Sequence, residues 1–109
     1  MLRTWQLKTL QVLWSSPEGA KSATVWDRVN KVLGGETISR ASIINFLEAM
    51  RESGVLSGVE ESGKGRYHWV YSPTMDETGF KAFIAVTLLE KLVREFPEEM
   101  RGALQNLNQ

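Results

Sequence analysis

The sequence predicts an α+β fold, mainly α with a small β-hairpin. Three helices precede the hairpin and a longer helix follows it. Three observations predict this order. Apolar residues recur at helical spacing in three successive segments before residue 55. The period then changes to a strand pattern on both sides of a glycine-rich stretch, up to residue 71. Beyond Pro73 a fourth helical stripe runs longer than any before it.

The first segment, Thr4 to Trp14, carries Trp5, Leu7, Leu10, Val12, Leu13 and Trp14, and stops at the turn residues Ser15-Ser16-Pro17-Glu18-Gly19. The second opens at Ser22, read as its N-cap, and carries Val25, Trp26, Val29, Val32 and Leu33. Gly34-Gly35 stands where a left-handed C-terminal cap belongs. The third segment starts at Thr37-Ile38-Ser39, where Thr37 or Ser39 can cap the free N–H groups. Its residues Ile43, Phe46, Leu47 and Met50 fall on one helix face, and Gly54 is the stop. Val55 to Val59 reads as a short strand, Glu60 to Gly65 as a turn, and Arg66 to Tyr71 as a second strand rich in aromatic and β-branched residues. The long helix spans Asp76 to Phe96, Pro97 breaks it, and Glu98 to Leu107 forms one more short amphipathic helix.

Three helices followed by a hairpin is the order of a winged helix-turn-helix domain, here residues 1–73. Residues 74–109 form a helical segment whose stripe is Phe80, Phe83, Ile84, Leu88, Leu89, Leu92, Val93 and Phe96. Placed after a complete domain, this stripe has no core of its own to cover. It is expected to meet a second copy of itself, with folding back on the first domain as the alternative.

Composition narrows the function. The chain has 109 residues, 42% apolar and 24% charged, which is the mix of a soluble globular domain and not of a disordered chain. No apolar run reaches membrane-spanning length, and Met1 to Gln6 contains no secretory apolar region. A cytoplasmic protein with no membrane partner is expected. The absence of cysteine excludes disulfides, thiolate metal sites and cysteine nucleophiles. The single histidine, His68, excludes a three-histidine zinc site within one chain. Phosphate-binding glycine loops, nucleophile elbows and zinc-protease motifs are all missing, so no enzyme, metal or cofactor is expected. Net charge is zero, but residues 1–74 hold nine Lys/Arg against seven Asp/Glu, and residues 75–109 hold four against six. A local basic patch on the first domain is compatible with a nucleic-acid partner.

The third helix is the candidate reader. With Ile43, Phe46, Leu47 and Met50 inward, it turns Arg40, Ala41, Ile44, Asn45 and Glu48 outward. Arg40 suits a phosphate or guanine edge, Asn45 an adenine edge, and Ile44 a thymine methyl. Ser39 and Ser42 near the helix start suit phosphate oxygens. Glu48 counts against a phosphate surface. In the hairpin, Lys64 and Arg66 flank the tip and suit the sugar-phosphate backbone, although Glu60 and Glu61 offset their charge. The aromatic series Tyr67, Trp69 and Tyr71 can stack bases or pack on the first and third helices.

Leu10-Gln11-Val12-Leu13-Trp14 resembles the first-helix signature of the penicillinase-repressor (BlaI/MecI-type) transcriptional regulators. The segment Ser42 to Met50 with Glu52-Ser53-Gly54-Val55-Leu56 is similar to their recognition helix and its exit. Gly65 to Pro73 is similar to their wing strand. The first two blocks also resemble MarR-type and PadR-type winged helices. The resemblance implies a homodimeric repressor on an inverted repeat of double-stranded DNA, read by Arg40, Ser42, Ile44 and Asn45 and gripped by Lys64 and Arg66. It assigns no effector. The rival reading is a winged-helix module that binds a protein partner and no DNA.

Overall fold

A computed structural model describes residues 2–63 and 66–107, with backbone alone at residues 62–63 and 66–68. The elements follow in the order α1 (Thr4–Trp14), β1 (Ala20–Lys21), α2 (Ser22–Leu33), α3 (Arg40–Glu52), β2 (Leu56–Gly63), β3 (Arg66–Pro73), α4 (Glu77–Glu95) and α5 (Pro97–Leu107). They divide into two compact units, Met1–Glu77 and Thr78–Gln109.

Local chemistry explains the helix limits. At the start of α1 the Gln6 side chain accepts from the Arg3 N–H at 2.8 Å, which satisfies one of the donors a helix start leaves open. α2 ends at Gly34, whose φ of 58° is left-handed and costs glycine nothing. At α3 the cap is Ser39, with Oγ accepting from the Ser42 N–H at 3.1 Å. The expectation for Ser22 is corrected. It is the first helical residue of α2, and Lys21 occupies the cap position without a side-chain bond.

The three-stranded antiparallel sheet has the order β1-β3-β2. β1 has no counterpart in the sequence pattern, where Ser15 to Gly19 reads as turn residues, the second helix opens at Ser22 and nothing is assigned to the two residues between. Two residues carry no detectable period, and their pairing, Ala20 with Tyr71 and Lys21 with Val70, is made across the chain. The hairpin is also longer than expected. β2 and β3 stay in register from Leu56 opposite Pro73 to Gly63 opposite Arg66. Glu60 and Glu61, expected in a turn, therefore lie in β2, opposite Trp69 and His68. Acidic residues are poor strand formers, but on a solvent-facing edge strand the ladder to β3 outweighs that preference.

The core of the first unit lies between the three helices and the sheet. Leu10 and Leu13 of α1, Val25 and Val29 of α2, Ile43, Phe46 and Leu47 of α3, and Val55, Leu56 and Tyr71 at the sheet are buried. Trp5 and Phe46 meet edge to face at 5.6 Å. Two polar ties close the periphery. The Trp14 indole donates to the Met75 carbonyl at 3.1 Å. Thr74 Oγ1 donates to the carbonyls of Gly54 and Val55 at 2.6 and 2.8 Å, fastening the exit of α3 to the end of β3.

In the second unit α4 has 19 residues, about 28 Å of helix at 1.5 Å per residue. Phe80 is buried and Phe83 and Ile84 are half-buried, whereas Leu88, Leu89, Leu92, Val93 and Phe96 are exposed. α5 contains no buried residue. No helix among the described residues is long and apolar enough to cross a membrane.

Candidate nucleic-acid interface

The connection between α2 and α3 decides how the third helix is presented. Its centre, Ile38, is held by two side chains of α2. Asn30 Oδ1 accepts from the Ile38 N–H at 2.8 Å, and Asn30 Nδ2 donates to the Ile38 carbonyl at 3.2 Å. The Trp26 indole donates to the same carbonyl at 2.8 Å. A buried or half-buried backbone group left without a partner is costly, so these bonds favour one geometry of the turn. Trp26 and Asn30 are positions that the sequence pattern does not single out for the site. Their role rests on a side chain meeting backbone eight or more residues away, for which no local pattern exists.

From that turn α3 buries Ile43, Phe46 and Leu47 and leaves Arg40, Ala41 and Asn45 exposed. Ile44 and Ser42 are half-buried. Arg40, Ser42, Ile44 and Asn45 all lie in the first two turns of α3 and outside its buried set, with Ser42 and Ile44 at the margins of the exposed surface. Ser39, also exposed, spends its hydroxyl on the cap and on Ser42 Oγ at 2.9 Å. In the hairpin Lys64 lies outside the described residues, as does the Arg66 side chain; the Arg66 backbone pairs with Gly63 at the described end of the ladder.

Helix–turn–helix followed by a long antiparallel hairpin, with a short strand between the first two helices, defines the architecture. The chain has a winged-helix fold. It is similar in structure to a possible transcriptional regulator from Methanosarcina mazei Go1, with a TM-score of 0.63 and 11% identity, covering 99% of this chain and 81% of that one. It is also similar to a zinc-responsive MarR family member, ZitR of Lactococcus lactis, with a TM-score of 0.52 and 19% identity, covering 99% of this chain and 73% of that one. No protein-family model matches the sequence, and no curated protein matches it. At these identities the likeness is one of fold.

One outward residue of the winged helix has a different role from the one its position implies. Glu48 is half-buried, and both of its carboxylate oxygens are engaged. Oε1 accepts from the Tyr71 hydroxyl of β3. Oε2 accepts from Arg51 Nη2 at 2.7 Å and Nε at 3.2 Å. The Arg51 guanidinium in turn lies over the Trp69 ring, 4.6 Å from its centroid. Gly58 of β2 leaves room for this layer, because a Cβ there would stand 2.5 Å from Arg51 Cδ and 3.0 Å from the Trp69 ring.

The electrostatics follow from these contacts. Hydrogen bonds from Arg51 and Tyr71 hold the Glu48 carboxyl below its usual range, against a smaller opposing effect of burial. Burial, then the bond to Glu48, pushes the Tyr71 hydroxyl well above its ordinary value. Glu48 is thereby an ionised, paired group and not an open acid facing a polyanion. The aromatic series divides accordingly: Tyr71 is core, and Trp69 is a platform for Arg51. The Tyr67 side chain lies outside the described residues.

Proposed function

We propose that this winged-helix protein is a DNA-binding transcriptional regulator, acting as a homodimeric repressor on an inverted repeat. The observation that carries the reading is the face of α3, where Arg40, Ala41 and Asn45 are exposed while the adjacent face is locked into the core. That residue set suits the donor and acceptor pattern of a major groove, and the turn that aims it is held at Ile38 by two side chains of α2. Ser42 and Ile44 complete the reading surface, Ser39 supports it as the helix cap, and Lys64 and Arg66 contact the sugar-phosphate backbone from the wing. The fold neighbour described as a possible transcriptional regulator supports the reading, as does the resemblance of three sequence blocks to penicillinase repressors.

The dimer is built on α4, around Leu88, Leu89, Leu92, Val93 and Phe96, with Phe80, Phe83 and Ile84 at the N-terminal end of the stripe. Five large exposed apolar side chains within three turns are costly in water and are covered when two copies pair. Two reading helices related by a two-fold axis then fall on half-sites about 10 bp, or a multiple of that, apart. Repression is steric: the bound dimer occludes the promoter.

The test is selection of bound fragments from a random double-stranded DNA pool at near-physiological salt. Enrichment of an inverted repeat is expected. A pool returned unenriched by folded protein overturns the reading in favour of a winged helix that binds protein. The zero net charge and the Glu60-Glu61 pair on β2 are the features that favour that rival.

A further inference from the structure

We propose that Glu48 is a positioning residue for DNA binding, tying the reading helix to the wing through Tyr71, Arg51 and Trp69. The inference rests on the DNA-binding reading above and concerns how its two contact elements are held in one frame. α3 and the hairpin are consecutive in the chain, and Thr74 fastens only the base of the hairpin, at Gly54 and Val55. Further along β3, where β1 pairs with Val70 and Tyr71, the Glu48 cluster ties the strand to the reading helix itself. One carboxylate takes a hydroxyl from β3 and two N–H groups from the next turn of its own helix. The guanidinium so oriented covers a ring that β3 presents on the strand face beside Gly58. The ladder to β1 holds β3 in the sheet, and the Glu48 cluster adds the side-chain link that sets the angle of the hairpin relative to the reading helix.

The proposal reverses the sign that simple charge counting gives. An acid on a helix that meets phosphates repels them, so its removal ought to tighten binding. If Glu48 instead sets the angle of the wing, its removal costs the phosphate contacts made by the wing. The Tyr71→Phe change, which alters no charge and keeps the ring in the core, then has the same effect as Glu48→Ala.

The experiment measures binding of the full-length protein, Glu48→Ala, Tyr71→Phe and the double variant to the inverted-repeat duplex recovered by selection, over a series of salt concentrations. Circular dichroism confirms at the assay temperature that each variant is folded. Each single variant is expected to bind about fivefold more weakly, with a shallower dependence of log K on log salt by about one released counterion per lost contact. The double variant is expected to be no weaker than the weaker single, because both changes break the same link. Tighter binding by Glu48→Ala overturns the inference, as does unchanged binding by Tyr71→Phe. Additive losses with the wild-type salt slope also overturn it, leaving Glu48 and Tyr71 as ordinary stabilising residues. Failure of the wild-type protein to bind any duplex overturns the DNA reading and this inference together, whereas unchanged variants of a protein that binds overturn the inference alone.

Discussion

Asn30 and Ile38 are paired amide to amide: the side chain of one residue meets both backbone polar groups of the other, at 2.8 and 3.2 Å. The contact replaces what a tighter turn would supply by its own backbone. Between α2 and α3 the chain has no strand or helix to satisfy Ile38, and Asn30, with an acceptor and a donor side by side, does so together with the Trp26 indole. Asn30→Ala leaves both groups without this partner and is expected to cost about 1–3 kcal/mol of stability. Asn30→Asp keeps the acceptor and loses the donor, so a smaller loss is expected. Chemical denaturation of the three proteins checks the order.

Gly58 carries a second stability prediction. A methyl group at this position meets the Trp69 ring at 3.0 Å as well as the more pliable Arg51 stem. Gly58→Ala is expected to cost about 1–3 kcal/mol, the usual range for overpacking a filled site. It is also expected to displace Arg51 from the ring. Thermal unfolding gives the first quantity, and the shift of the Trp69 indole proton in NMR spectra reports the second.

The Glu48–Tyr71 pair predicts a stability plateau with two edges. The Glu48 carboxyl is lowered by its bonds to Arg51 and Tyr71, so its contribution is complete above the ordinary carboxylate value of 4.5 and is lost as pH falls through the folded-state value. Tyr71 is raised by burial and by Glu48, so its contribution is complete below the ordinary value of 10.0 and is lost as pH rises beyond it. Each edge has a limiting slope of about 1.4 kcal/mol per pH unit per group. Glu48→Gln is expected to flatten the acid edge and Tyr71→Phe the alkaline one, in unfolding free energies measured from pH 3 to 11.

Binding by the proposed reader separates base contacts from phosphate contacts. Arg40→Ala is expected to weaken binding to the selected repeat by about 1–3 kcal/mol and to relax the preference at one base position. Lys64→Ala is expected to weaken all sequences alike and to reduce the salt slope by about one. Fluorescence titrations against the selected duplex and a scrambled one distinguish the two patterns. Wild-type affinity in the Arg40→Ala protein contradicts the placement of α3 in the groove.

The α4 stripe predicts the assembly state. Leu92→Asp puts a charge among the exposed apolar residues Leu88, Leu89, Val93 and Phe96. Sedimentation equilibrium is expected to show a dimer for the wild-type protein and a monomer for the variant. Helical content by circular dichroism should be unchanged, because position 92 is exposed in the single chain. A monomeric wild-type protein rules out the self-paired stripe.

Much of the architecture was legible in the residues alone. The limits of α1, the left-handed Gly34, the Ser39 cap and the buried set Ile43, Phe46 and Leu47 all follow from signals within one or two helical turns, where neighbours in sequence are neighbours in space. The outward face of α3 follows from the same periodicity. What the tertiary structure alone decided are the contacts that no period encodes. β1 exists because Ala20 and Lys21 find Tyr71 and Val70 across the sheet. The turn before α3 is set by Asn30 from a different helix. Glu48, by helical position an open acid on the reading face, is paired because β3 brings Tyr71 over it and Gly58 lets Arg51 lie flat on Trp69. Periodicity determines which way a side chain points; only the packing of one element on another determines what it meets there.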